Sequence, residues 1–177
     1  MCVAPIYIQV RRAFLVDMET SPLLSRSAIG ELSQVKDDVL GFWIRKGVLK
    51  SETEAQRKHH RFTMDEARIA AIVNGAHAYG LNVSALSEIA AVLRKALSAY
   101  RAAGWEGLLR ADKNGDRDLY KLLSVGAAID DCGDMLLLAN GEDSWSAELV
   151  GGLDQLPVPT GIVFDLARVL SHFKGQK

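Results

Sequence analysis

Six basic side chains, Arg45, Lys46, Lys50, Arg57, Lys58 and Arg61, fall within residues 41–61 against only two acidic ones, Glu52 and Glu54, and His59 and His60 sit among them. Guanidinium and ammonium groups are donors for phosphate oxygens, and loops and helix ends are the elements that can fix them. The whole chain carries a net charge of only −1. Screening confines each charge to about 8–10 Å, however, so a local patch matters more to a polyanion than the total. The charge is also unevenly divided, with +4 over residues 1–110 and −5 over residues 111–177. On charge alone the basic stretch reads equally as a solvated loop.

Other candidate chemistry is sparse. The run Asp112-Lys113-Asn114-Gly115-Asp116-Arg117-Asp118 begins like a calcium loop. Its sixth position is Arg117 instead of glycine and its twelfth is Leu123 instead of glutamate, so the tight turn and the bidentate ligand are both missing. It reads as a helix-capping acidic loop. Cys2 and Cys132 are far apart and form neither a disulfide framework nor a zinc-ligand pair, which fits a reduced, cytoplasmic protein. Asp130, Asp131 and Asp134 read as a polar turn. With no nucleophile–base order, glycine-rich phosphate loop or ligand cluster, neither a catalytic function nor a metal or cofactor is expected.

Local signals then say which elements hold the basic residues. Ser27 is placed to cap a first helix through Ala28, Ile29, Leu32 and Val35. A second helix spans residues 37–46, with Asp37 and Asp38 at its positive end, Arg45 and Lys46 at its negative end, and Gly47 as its stop. Val39, Leu40, Trp43 and Ile44 form its apolar stripe, and Phe42, Trp43 and Phe62 are read as core. Two short strands, the first at Val48-Leu49, are expected to flank a loop over residues 50–61. Thr63 and Glu66 form a capping box for a helix that reaches Tyr79 and stops at Gly80. Asn82 or Ser84 opens the next helix, whose stripe of Leu86, Ile89, Ala90, Leu93, Leu97 and Tyr100 runs to Gly104.

Beyond Gly104 the pattern changes. Residues 105–109 read as a turn or a short helix, and a helix with Leu119, Leu122, Leu123 and Ile129 starts near Asp116. Residues 135–139 and 144–150 flank a turn-rich connection and suggest a hairpin. After Pro157 and Pro159, Ile162-Val163-Phe164 predicts a strand, and Asp165 caps a last helix through Leu166, Val169, Leu170 and Phe173. The chain has 177 residues, 49% of them hydrophobic and 24% charged, which excludes a disordered or collagen-like chain. No apolar run reaches the roughly 18 residues of a membrane span. Arg11 and Arg12 interrupt the first apolar stretch, so it is not read as a signal peptide.

The order of elements predicts a winged helix-turn-helix, and four blocks carry a resemblance. These are residues 28–32 (AIGEL), 40–49 (LGFWIRKGVL), 60–66 (HRFTMDE) and 79–84 (YGLNVS), the last followed by Ile89. Residues 28–93 thereby resemble the MerR-type DNA-binding head. With the change of pattern after Gly104, this predicts a mainly α fold with a small α+β C-terminal part, divided into an N-terminal extension (1–27), a head with a long following helix (28–104) and a C-terminal domain (105–177). The resemblance implies duplex DNA as partner, contacted by Lys36, Arg45, Lys46, Lys50, Arg57, Lys58, His59, His60 and Arg61, with the second helix in the major groove. It also implies a homodimer joined through Leu86, Ile89, Leu93, Leu97 and Tyr100, and an effector of unstated kind at the C-terminal domain. Two positions depart from the family pattern. Gly41 stands where an arginine is usual and Ile44 where an acidic residue is usual. They motivate an alternative, a protein-interaction module built on a degenerate head; an excisionase-like architectural DNA binder is a second.

Overall fold

The computed structural model describes residues 23–52, 59–141, 144–150 and 161–173. Strand β1 (Leu24–Ser25) leads directly into α1 (Arg26–Ser33), which a tight turn joins to α2 (Asp37–Arg45). Strand β2 (Arg61–Phe62) precedes α3 (Met64–Ala78), and α4 (Val83–Asn114) runs antiparallel to α5 (Arg117–Asp131). Strands β3 (Met135–Asn140), β4 (Trp145–Val150) and β5 (Gly161–Asp165) follow, and α6 (Leu166–Val169) and a 3-10 turn (Ser171–Phe173) end the described chain. The fold is therefore mainly helical with two small sheets.

Capping side chains set most helix starts. Ser25 Oγ, and not Ser27, accepts from the Ala28 amide at 3.1 Å, so α1 begins two residues earlier than its apolar pattern suggests. Thr63, Asn82, Asp116 and Asp165 cap α3, α4, α5 and α6 as their positions imply. The strands differ from expectation in one respect. Val48 and Leu49 are buried but form no strand; β2 instead pairs antiparallel with β1, Leu24 opposite Phe62 and Ser25 opposite Arg61. The second sheet has the order β4-β3-β5, both pairs antiparallel.

The first helical stretch of α4 ends at Gly104, as its sequence predicts: the backbone there is non-helical, at φ 63° and ψ −171°, and a second helical stretch runs from the kink to Asn114. Leu108 and Ala111 on this distal part are buried against Leu123 of α5. The core does not divide at this point. Trp43, Phe62, Ile69, Ile72, Leu93, Leu136, Phe164 and Leu170 belong to one contiguous buried cluster that joins α1–α5 to the three-stranded sheet. Each fully buried side chain of this size contributes about 1.5–3 kcal/mol. Arginine–aspartate pairs reinforce the joint: Arg101 of α4 contacts Asp65 of α3 at 2.9 Å and Asp130 of α5 at 2.6 Å, and Arg68 contacts the same two carboxylates at 3.0 and 3.2 Å.

This burial corrects the expected dimer seam. Leu86, Ile89, Leu93 and Leu97 are at most 1% exposed, covered by their own chain, and Tyr100 is half-buried beside Leu108 and Leu123. The stripe is long because it serves α3 and α5 of the same molecule. Among the described residues no helix is long and apolar enough to cross a membrane.

Candidate nucleic-acid interface

Helix α2 is fixed by two apolar side chains facing inward. Leu40 and Trp43 are at most 1% exposed, and the Trp43 ring meets His77 of α3 edge-on at 5.7 Å. This leaves Lys36, Arg45 and Lys46 on the exposed side, Lys36 at the N-cap, Arg45 in the last turn and Lys46 at the C-cap. Phe42 is 36% exposed instead of core, with the Lys46 ammonium 5.9 Å from its ring centre. The leading end of the helix is not simply cationic, because Asp37 and Asp38 occupy its first turn. They suit the helix dipole and oppose a phosphate.

The described residues that follow α2 meet those that lead into β2. The Glu52 amide donates to the Arg61 carbonyl at 2.8 Å, and His60 Nδ1 lies 3.2 Å from Ser51 Oγ, so the two arms form a closed stem. Lys50, His59 and Arg61 are exposed on it, while His60 is half-buried against Phe62. Arg57 and Lys58 lie outside the described residues.

The stem is tied to the helices by a residue whose role differs from the sequence expectation. Thr63 Oγ1 accepts from the Glu66 amide at 3.1 Å, half of the capping box. The Glu66 carboxylate does not reach back to close it. Only 5% exposed, the residue turns between α3, α4 and the stem, where Oε1 accepts from the Lys50 amide at 2.8 Å. Arg94 of α4 donates to both carboxylate oxygens, Nη2 to Oε1 at 2.7 Å and Nε to Oε2 at 3.1 Å, and Nη2 also donates to the Val48 carbonyl at 3.2 Å. A buried carboxylate requires such a cation, and this requirement outweighs the second half of the capping box.

Sequence reasoning gathered the basic residues around α2 and the stem but missed Glu66 and Arg94 as their support. The available signal was Arg94 itself, a charge four residues after Ala90 and three before Leu97 on a buried stripe. The region of the supposed calcium loop also has a defined structural role: Asp112 and Asn114 are helical, Gly115 ends α4, and Asp116 Oδ1 accepts from the Leu119 amide at 3.1 Å. Among the described residues no group of three His, Cys, Asp or Glu side chains is arranged to hold a metal ion. Compared with known protein families and with characterised proteins, the chain matches none.

Proposed function

We propose that the chain is a sequence-specific regulator of transcription that binds double-stranded DNA as a homodimer, with α1, α2 and the stem after them forming a winged helix-turn-helix. The observation that supports this reading best is the stem. It is closed by a backbone hydrogen bond and held from beneath by Glu66 and Arg94, with Lys50 and Arg61 exposed on it and Arg45 and Lys46 exposed where α2 ends. A backbone fixed in this way leaves only the side chains of its cations to be ordered when they meet phosphates.

Titrating a labelled duplex, selected by the protein from a random-sequence pool, tests the reading by fluorescence anisotropy. Binding should weaken steeply as salt rises, and simultaneous substitution of Arg57, Lys58 and Arg61 by alanine should abolish retention. Micromolar binding that ignores salt, or an unaffected triple variant, overturns it. The second reading, a protein-interaction module, is favoured by the two aspartates at the leading end of α2.

With the stripe of α4 consumed internally, a second copy needs another surface. Trp105 and Leu109 on the distal part of α4 and Leu119 and Tyr120 at the start of α5 are 56, 54, 41 and 41% exposed. Clustered exposed apolar side chains of this size mark association surfaces. Residues 105–121 carry Glu106, Asp112, Asp116 and Asp118 against Arg110, Lys113, Arg117 and Lys121, so a like surface does not repel it. Sedimentation should show a dimer for the native chain and a monomer for Trp105→Glu/Leu109→Glu; a native monomer at all concentrations removes the homodimer from the proposal.

A further inference from the structure

Gly41, one of the departures that argue for a degenerate head, has a specific neighbour. A Cβ at this position would lie 2.6 Å from Arg26 Nη2, 3.2 Å from Cζ and 3.5 Å from Nη1. The guanidinium of Arg26, from the first residue of α1, thus rests on the bare backbone of α2 at the place where any other residue would put a side chain. Asp37, one turn earlier on the same face of α2, holds it there. Nη2 donates to the Asp37 carbonyl at 2.7 Å and to Oδ2 at 2.8 Å, and Nε lies 2.8 Å from Oδ1. Among the described residues nothing takes up the two Nη1 protons. The Arg26 side chain is 40% exposed and borders an open groove of about 500 Å³ lined also by Ser27, Gly30, Val35 and Asp37.

We infer that Arg26, seated on Gly41 and braced by Asp37, is a preformed phosphate-binding cation at the leading half of α2, and that glycine at position 41 is what makes room for it. The inference rests on the duplex-binding reading above. Three physical points carry it. A guanidinium with two oxygen partners and a flat support has lost its rotamer freedom before a ligand arrives, which removes the ordering cost of binding. Its charge offsets Asp37, which otherwise sets an unpaired carboxylate at the end of α2 that approaches the groove. And its free Nη1 protons are the donors that a phosphodiester oxygen accepts. The absent side chain at position 41 is thereby replaced by one delivered from a different helix.

A double-mutant cycle on the selected duplex tests this, with binding by anisotropy and folding by thermal melting. Arg26→Ala should weaken binding roughly ten-fold or more, as expected for a charge-assisted hydrogen bond. Gly41→Ala leaves every charge in place and improves the helix propensity of α2. It should keep or raise the melting temperature yet weaken binding to a similar degree, because the methyl group displaces the guanidinium. The double variant should bind no worse than Arg26→Ala alone, since both changes remove one contact. If the native protein binds and Gly41→Ala binds as tightly as it does, or if the two losses add, the seat is overturned while the duplex-binding reading stands. If the native protein retains no duplex, both fall together.

Discussion

Glu66 and Arg94 make the side-chain pair on which the stem depends. The Glu66 side chain is only 6% exposed, so removing its cation leaves a charge with one backbone amide for company. Arg94→Met should therefore cost about 3–5 kcal/mol in denaturant unfolding. Arg94→Lys, which keeps the charge but loses the two-pronged geometry and the link to Val48, should fall between it and the native protein. Unchanged stability in Arg94→Met would show that the pair holds nothing. Tyr100 gives a second test at this scale. Burial, then the nearby Asp131 and Asp130, push its phenol above the ordinary value of 10.0. A raised folded-state pKa means that the protonated phenol stabilises the fold below pH 10 and that this contribution is lost as pH climbs through the higher folded value. In ultraviolet titration, Tyr100→Phe should lose a tyrosine step that lies above pH 10, and loss of a step at or below it would refute the placement. Neither the pair nor the tyrosine environment was legible in the sequence, since both depend on which helices come into contact.

Among the elements, the helices were largely legible and the strands less so. Thr63, Asn82, Asp116 and Asp165 announce helix starts because a cap acts on the amides just after it. The hairpin of β3 and β4 and the strand at Ile162–Phe164 also follow from local pattern, and the structure contains them. Strand β1 is only two residues long and finds its partner 38 positions away, Leu24 against Phe62, which no local period reveals. The helical stretch after the break at Gly104 is only half legible, as a turn or a short helix, for a related reason: Leu108 and Ala111 become core only once α5 folds back on them. The conformation of Gly104, φ 63° and ψ −171°, lies in a region essentially confined to glycine. Gly104→Ala should cost about 1–3 kcal/mol by thermal or chemical melting. Gly126 of α5 sits where the α4 backbone comes closest; a Cβ there would overlap the Ala96 carbonyl and lie 2.6 Å from Tyr100 Cβ. Gly126→Ala should lower stability by about 1–3 kcal/mol through overpacking, and an unchanged melt would mean that α4 and α5 separate easily.

At the scale of the whole molecule, the basic residues that suggested a nucleic-acid partner were visible in the sequence, whereas what secures them was not. A change of composition near Gly104 suggested a boundary, but Phe164 and Leu136 share a core with Ile69 and Ile72. Trp43 in α2 and Trp145 in β4 both pack on that core, so single-tryptophan variants reporting from either end should unfold at one denaturant midpoint. Two separated midpoints would show that the halves fold independently. The Glu66–Arg94 tie has a further bearing on recognition. Swinging the stem to a new angle means breaking the bond of the Lys50 amide to the buried Glu66 carboxylate and that of Arg94 to the Val48 carbonyl, at about 1–3 kcal/mol for each buried group left unsatisfied. On the duplex-binding reading proposed above, DNA would then have to come already shaped to the stem, and discrimination would be decided by how readily each sequence bends to fit and not by accommodation on the protein's side.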